Sequence, residues 1–74
     1  MAIDGIKSGR YRHYKGKEYR VFNVATHFET LEKLVVYQTL YGDFGWWVRP
    51  LAMFCENVTI DGKTLPRFEW IGED

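Results

Sequence analysis

Cations alternate with rings in Arg10-Tyr11-Arg12-His13-Tyr14-Lys15, and a tryptophan pair leads to a cation in Trp46-Trp47-Val48-Arg49-Pro50. An arginine beside a ring can grip a carboxylate with both arms of its fork, stack on a planar group, or take up a cation–π contact. The neighbouring rings add apolar area and a stacking face. Such a pattern points to recognition rather than to bond-making. The candidate ligand-binding residues are Arg12, Tyr14, Tyr37, Tyr41, Trp47 and Arg49. Each also has a structural use: Arg49 can pair with Glu29, Glu32 or Asp43 and tie down a loop, and a surface tyrosine can simply cover its neighbours.

Catalytic and metal-binding readings are weaker. His27, Glu29 and Glu32 are spaced so that one helical turn does not bring all three side chains together, and the S/T-x-x-E spacing of Thr26 and Glu29 explains Glu29 as part of a helix cap. His13 shares a strand face with Tyr11 and reads as a hydrogen-bonded histidine inside or at the rim of the fold. Cys55 has no neighbouring cation to activate it and reads as a small packed hydrophobe. The sequence contains no G-x-G-x-x-G, P-loop, G-x-S-x-G, paired CxxC or HExxH pattern. The expectation is a non-enzymatic chain with no cofactor and no bound metal.

The positions of these residues depend on a small scaffold. A chain of 74 residues forms one domain, and at this size folding buries only about 60% of the surface that the unfolded form exposes. No stretch approaches the ~20 apolar residues of a membrane span, and Met1 to Gly9 lacks the apolar core of a secretory leader. A single cysteine leaves no intrachain disulfide, which suits a reducing compartment. The expected setting is cytoplasmic, without a membrane partner.

Ten basic and ten acidic side chains give a formal net charge of zero, which argues against general binding to polyanions. The distribution is uneven: Lys7, Arg10, Arg12, Lys15, Lys17 and Arg20 face only Asp4 and Glu18 in the first twenty residues, while the carboxyl-terminal third is acidic.

Period-two segments separated by turn signals predict an all-β fold. Strands are expected over Gly9 to Tyr14, Glu18 to Ala25, Leu34 to Tyr41 and Trp46 to Arg49, followed by a hairpin at Asp61-Gly62 with a return strand ending near Ile71. A change of phase near Val21 and Phe22 predicts a bulge. Helical turns are expected after Thr26 and at Leu51 to Phe54. Closing five or six short antiparallel strands removes the sheet edges, so a small SH3-like barrel is expected. Its inward layer would comprise Tyr19, Val21, Val24, Leu34, Val36, Leu40, Val48, Leu51, Phe54, Val58 and Phe68. Residues 9–71 form the expected domain, with loose tails over 1–8 and 72–74.

The blocks RYRHYKG (Arg10 to Gly16), HFETLE (His27 to Glu32), LVVYQTLYG (Leu34 to Gly42), WWVRPLAMF (Trp46 to Phe54) and PRF (Pro66 to Phe68) resemble, in order, the bacterial family called domain of unknown function 1653. The resemblance implies an SH3-like barrel, alone or fused to other domains, and implies no activity, cofactor or substrate. Two functional expectations follow from the residues. The first is a protein or peptide partner held on the aromatic and arginine face. The second is single-stranded nucleic acid, stacked on Tyr11, Tyr14 or Trp46 and followed by the amino-terminal cations. Oligomeric state is open.

Overall fold

The computed structural model describes residues 2–3 and 5–73. Along the chain run β1 (Ala2–Ile3), β2 (Ile6–Lys7), β3 (Gly9–His13), β4 (Glu18–Thr26), β5 (Lys33–Thr39), β6 (Trp46–Pro50), α1 (Leu51–Phe54), β7 (Asn57–Ile60), β8 (Lys63–Pro66) and β9 (Phe68–Gly72). Five of the strands form an antiparallel sheet in the order β6-β5-β4-β3-β9, and β1–β2 and β7–β8 are separate hairpins. The fold is therefore mostly β with one short helix.

Local chemistry sets the turns. Gly16 takes a φ of 107° between β3 and β4, which a side chain at that position would resist. Asp61 and Gly62 both have positive φ, as the tight hairpin joining β7 to β8 requires. Between β4 and β5, however, no helix forms. The imidazole Nδ1 of His27 accepts from the amides of Glu29 (3.1 Å) and Thr30 (3.3 Å), and the Leu31 amide donates to the His27 carbonyl. A histidine thus takes the capping role expected of Thr26, whose hydroxyl accepts from Lys33 Nζ instead.

The bulge in β4 falls between Val21 and Asn23. Beyond it, Val24 lies opposite Val35, just as Val21 lies opposite Tyr37 before it. This register turns Val35, Tyr37 and Thr39 inward, so the expected inward set Leu34, Val36 and Leu40 is on the wrong phase. Both faces of β5 are rich in β-branched and aromatic residues, so its own alternation does not choose. Val48, expected inside, is 58% exposed, because it lies opposite Val36 on the outer face.

The core consists of Tyr11, Val21, Val35, Tyr37, Phe54 and Phe68. Phe54 is the plug expected after Pro50: it is 2% exposed and stacks on Phe68 with centroids 4.3 Å apart. Tyr37 on β5 and Phe68 on β9 have centroids 6.2 Å apart although β4 and β3 lie between their strands. Three flat strand spacings would separate them by about 14 Å, so the sheet curls around Phe54. Its edges, β6 and β9, are not hydrogen-bonded to each other among the described residues. Among the described residues the sheet is thus curled and its edge strands do not close into a barrel.

The amino-terminal segment expected as a tail pairs Ala2 with Lys7 and Ile3 with Ile6. Tyr11 fastens it by donating its hydroxyl to the Lys7 carbonyl at 2.6 Å, and Ile6 packs on the core. At Gly9 a Cβ would lie 2.5 Å from the Gly72 carbonyl oxygen, so the start of β3 and the end of β9 approach more closely than a side chain allows. The tail residues Met1, Asp4 and Asp74 lie outside the described residues.

Candidate functional site

The curl of the sheet leaves a mouth between β6 and β9, and one side chain lies across it. Arg49 is opposite Val35 and shares the concave face with Trp47, which is opposite Tyr37. Its guanidinium carbon lies 5.5 Å from the centroid of the Phe68 ring on β9. The Arg49 Nε is buried with no hydrogen-bond partner, and no carboxylate reaches the side chain among the described residues. The Nε atoms of Arg10 and Arg67 are buried without a hydrogen-bond partner as well, but those arginines each have a carboxylate nearby. Arg10 and Arg12 flank Glu18 at 3.7 and 3.4 Å, and Arg67 reaches Glu56 at 3.4 Å.

A ring cluster continues from Phe68 along the concave face. His13 lies 5.0 Å from Phe68 and 4.5 Å from Tyr14, centroid to centroid. Its Nδ1 accepts from the Lys15 amide at 3.1 Å, which places the proton of the neutral ring on Nε2. Burial lowers the His13 pKa below the ordinary histidine value, and the charges of Arg67, Lys15 and Arg49 add to the effect. Tyr19 and Tyr41 share a hydroxyl–hydroxyl bond of 2.8 Å. The Tyr19 phenol is raised well above its usual range, chiefly by burial and then by that bond, with Arg49 opposing. The site therefore holds an imidazole and the Tyr19 phenol, both biased toward their neutral forms, and a cation without a counterion among the described residues.

A family model described as a protein of unknown function (DUF1653) matches residues 9–70. The chain belongs to the DUF1653 family. It is also similar to a crystal structure of a DUF1653 protein from Bordetella bronchiseptica, at 36% identity over 99% of this chain and 96% of that one, with a TM-score of 0.87. No curated protein matches.

In this DUF1653 domain the six sequence-predicted binding residues separate. Tyr37 is 5% exposed and belongs to the core, where it meets Phe54 and Phe68, so it is withdrawn from the site. Trp47 and Arg49 share the concave face of β6, and Tyr41 joins through Tyr19. Arg12 and Tyr14 line an adjoining cleft of about 290 Å³, with Leu65, Pro66 and Glu69, which shares His13 with the ring cluster. Cys55, expected to be packed, is exposed. Sequence reasoning missed Phe68 as the floor under Arg49. It also placed His13 at the rim without linking it to Arg49, since their strands lie far apart in the chain. On the outer face, Phe22 and Trp46 pack at 4.8 Å beside Val48 and remain 42%, 60% and 58% exposed.

Proposed function

We propose that this DUF1653 domain is a non-catalytic, SH3-like binding module that holds a protein or peptide partner at the mouth of its curled sheet, with Arg49 taking a carboxylate of that partner. The observation that carries this reading is the half-buried Arg49, whose Nε has no partner and whose charge has no counterion among the described residues. Leaving a buried charged donor unmade costs upwards of about 1–3 kcal/mol. An external carboxylate on the terminal nitrogens of the guanidinium offsets that cost through charge-assisted hydrogen bonds. Phe68 beneath the guanidinium excludes water from one side and strengthens the pairing. A non-catalytic role agrees with the separation of the titratable groups, since His27 is engaged in its own turn and His13 stands among rings.

The nucleic-acid reading rested on the amino-terminal cations. Glu18 sits between Arg10 and Arg12, which weakens the positive stripe that reading requires. An NMR titration separates the two. Acidic peptides should shift resonances of Arg49, His13 and Trp47, with loss of binding in Arg49→Gln and little change in Arg12→Gln. Single-stranded oligonucleotides shifting the β3 amides with a steep dependence on salt would reverse the preference.

A further inference from the structure

We propose that the partner binds as an extended strand added to the free edge of β6, with an acidic residue opposite Arg49 and an apolar residue opposite Val48. This rests on the reading of Arg49 as a carboxylate receptor and specifies how the carboxylate arrives.

The backbone of β6 shows which groups the edge offers. The Thr39 amide donates to the Gly45 carbonyl at 3.0 Å, and the β5–β6 register then continues unbroken from Gln38–Trp46 to Leu34–Pro50. Hydrogen-bonded and non-hydrogen-bonded pairs alternate in an antiparallel ladder. Trp47 and Arg49 therefore direct their backbone groups at β5, while the N–H and C=O of Trp46 and Val48 point away from the sheet. Pro50 falls in the outward set, where a missing amide removes no ladder bond. Trp46, Trp47 and Val48 are each more than half exposed although they alternate between faces, so the edge itself is open. Edge strands are commonly blunted by a bulge, a lysine, a proline or an inward-pointing charge. β6 has neither bulge nor lysine, Pro50 blunts only its carboxyl-terminal end, and its one charge is Arg49. That cation opposes a neutral or basic strand and accepts an acidic one.

A second copy of the chain does not supply the complement. Two β6 strands paired about Val48 set Trp47 against Arg49 of the other copy and bring no carboxylate. The other edge strand, β9, carries Glu69 opposite Arg12, on the face away from Arg49. The occupant is therefore an acidic segment of another protein. Its apolar residue opposite Val48 would rest on the outer patch of Phe22 and Trp46.

The probe is the capped peptide Thr-Thr-Val-Glu-Val-Thr-Thr, in which valines flank the acid so that either strand direction presents the pair. Titrated into the labelled protein, it should shift the amides of Trp46 and Val48 and the side chain of Arg49. Replacing its Glu with Gln should weaken binding about tenfold or more. N-methylation of the Val-Glu-Val core should weaken it similarly, because the strand then loses its central donors in either direction. Val48→Pro removes an outward amide while sparing the β5 ladder and should abolish binding, and the N-methylated peptide keeps the test intact if that variant does not fold. Retained binding of the N-methylated peptide, still dependent on Arg49, would sink strand addition and leave the carboxylate reading standing. Equal binding by Arg49→Gln would overturn the carboxylate reading itself, and no binding at millimolar peptide would overturn both. Self-association that Val48→Pro abolishes would assign the edge to a second copy instead.

Discussion

His13 and Tyr41 show how single side chains set the properties of the concave face. The His13 pKa is lowered in the fold, by burial first and then by Arg67, Lys15 and Arg49. Protonation also sets a new N–H against the Lys15 amide that Nδ1 now accepts. Between the lowered value and the unfolded value of about 6.5 the unfolded chain binds more protons, so stability rises with pH in that window. The contribution of His13 is fully present above about pH 6.5 and is lost as pH falls through the lowered folded value. Urea midpoints measured from pH 7.5 to pH 5 should decline, and His13→Asn, whose Oδ1 can still accept from Lys15, should flatten part of that decline. An unchanged profile in the variant would mean that His13 remains neutral in both states or is charged in both. Tyr41→Phe should cost about 1 kcal/mol in the same measurement, because the Tyr19 hydroxyl loses its 2.8 Å partner.

At the scale of the elements, turns and strand phases differ in how far the sequence reveals them. The turns at Gly16 and Asp61-Gly62 were legible because positive φ is a local demand met by a few residue types. The bulge near Val21 and Phe22 was legible as well, since one strand changes the parity of its apolar residues there. The phase of β5 was not, because both of its faces suit a sheet and only its pairing with the bulged β4 selects Val35 and Tyr37. The same pairing removed Tyr37 from the candidate site. The β1–β2 hairpin was overlooked although Asp4-Gly5 is the same dipeptide as Asp61-Gly62, because the strands beside it are only two residues long; Tyr11, Ser8 and Trp70 fasten the segment to the sheet. Gly9 marks that junction, with φ at 122° and the Gly72 carbonyl where a side chain would stand. Gly9→Ala should therefore cost at least about 1–3 kcal/mol, and amide exchange should quicken along β3 and β9 before it does along β5. Uniform quickening would show that the junction is not a separate unit of stability.

For the whole molecule, the all-β character and the aromatic plug could be read from the sequence, but the strand number, nine among the described residues against the five or six expected, and the openness of the sheet could not. Closure depends on whether β6 and β9 come close enough to pair, and here the side chains of Arg49 and Phe68 span the gap instead. The same arrangement joins the stability of the core to the site. Phe54 stacks flat on Phe68 with an interplanar angle of 3° and meets the ring of Tyr11 edge-on at 5.3 Å. At about 0.05–0.15 kcal/mol per residue a domain of this size holds roughly 4–11 kcal/mol of stability. Phe54→Ala removes about 3–5 kcal/mol of that, equivalent to a fall in Tm of about 12 °C or more. The variant should therefore be largely unfolded at moderate temperature, with its near-ultraviolet circular dichroism lost. Leu51→Ala, on the same turn but only half-buried, should lose less and keep the Phe54–Phe68 stack. If Leu51→Ala retains the fold but loses affinity for an acidic peptide as fully as Arg49→Gln does, the stack is not what holds Phe68 beneath the guanidinium. Retained affinity in that variant is the expected result, because the floor of the site depends on Phe54 and not on its neighbours in the helix.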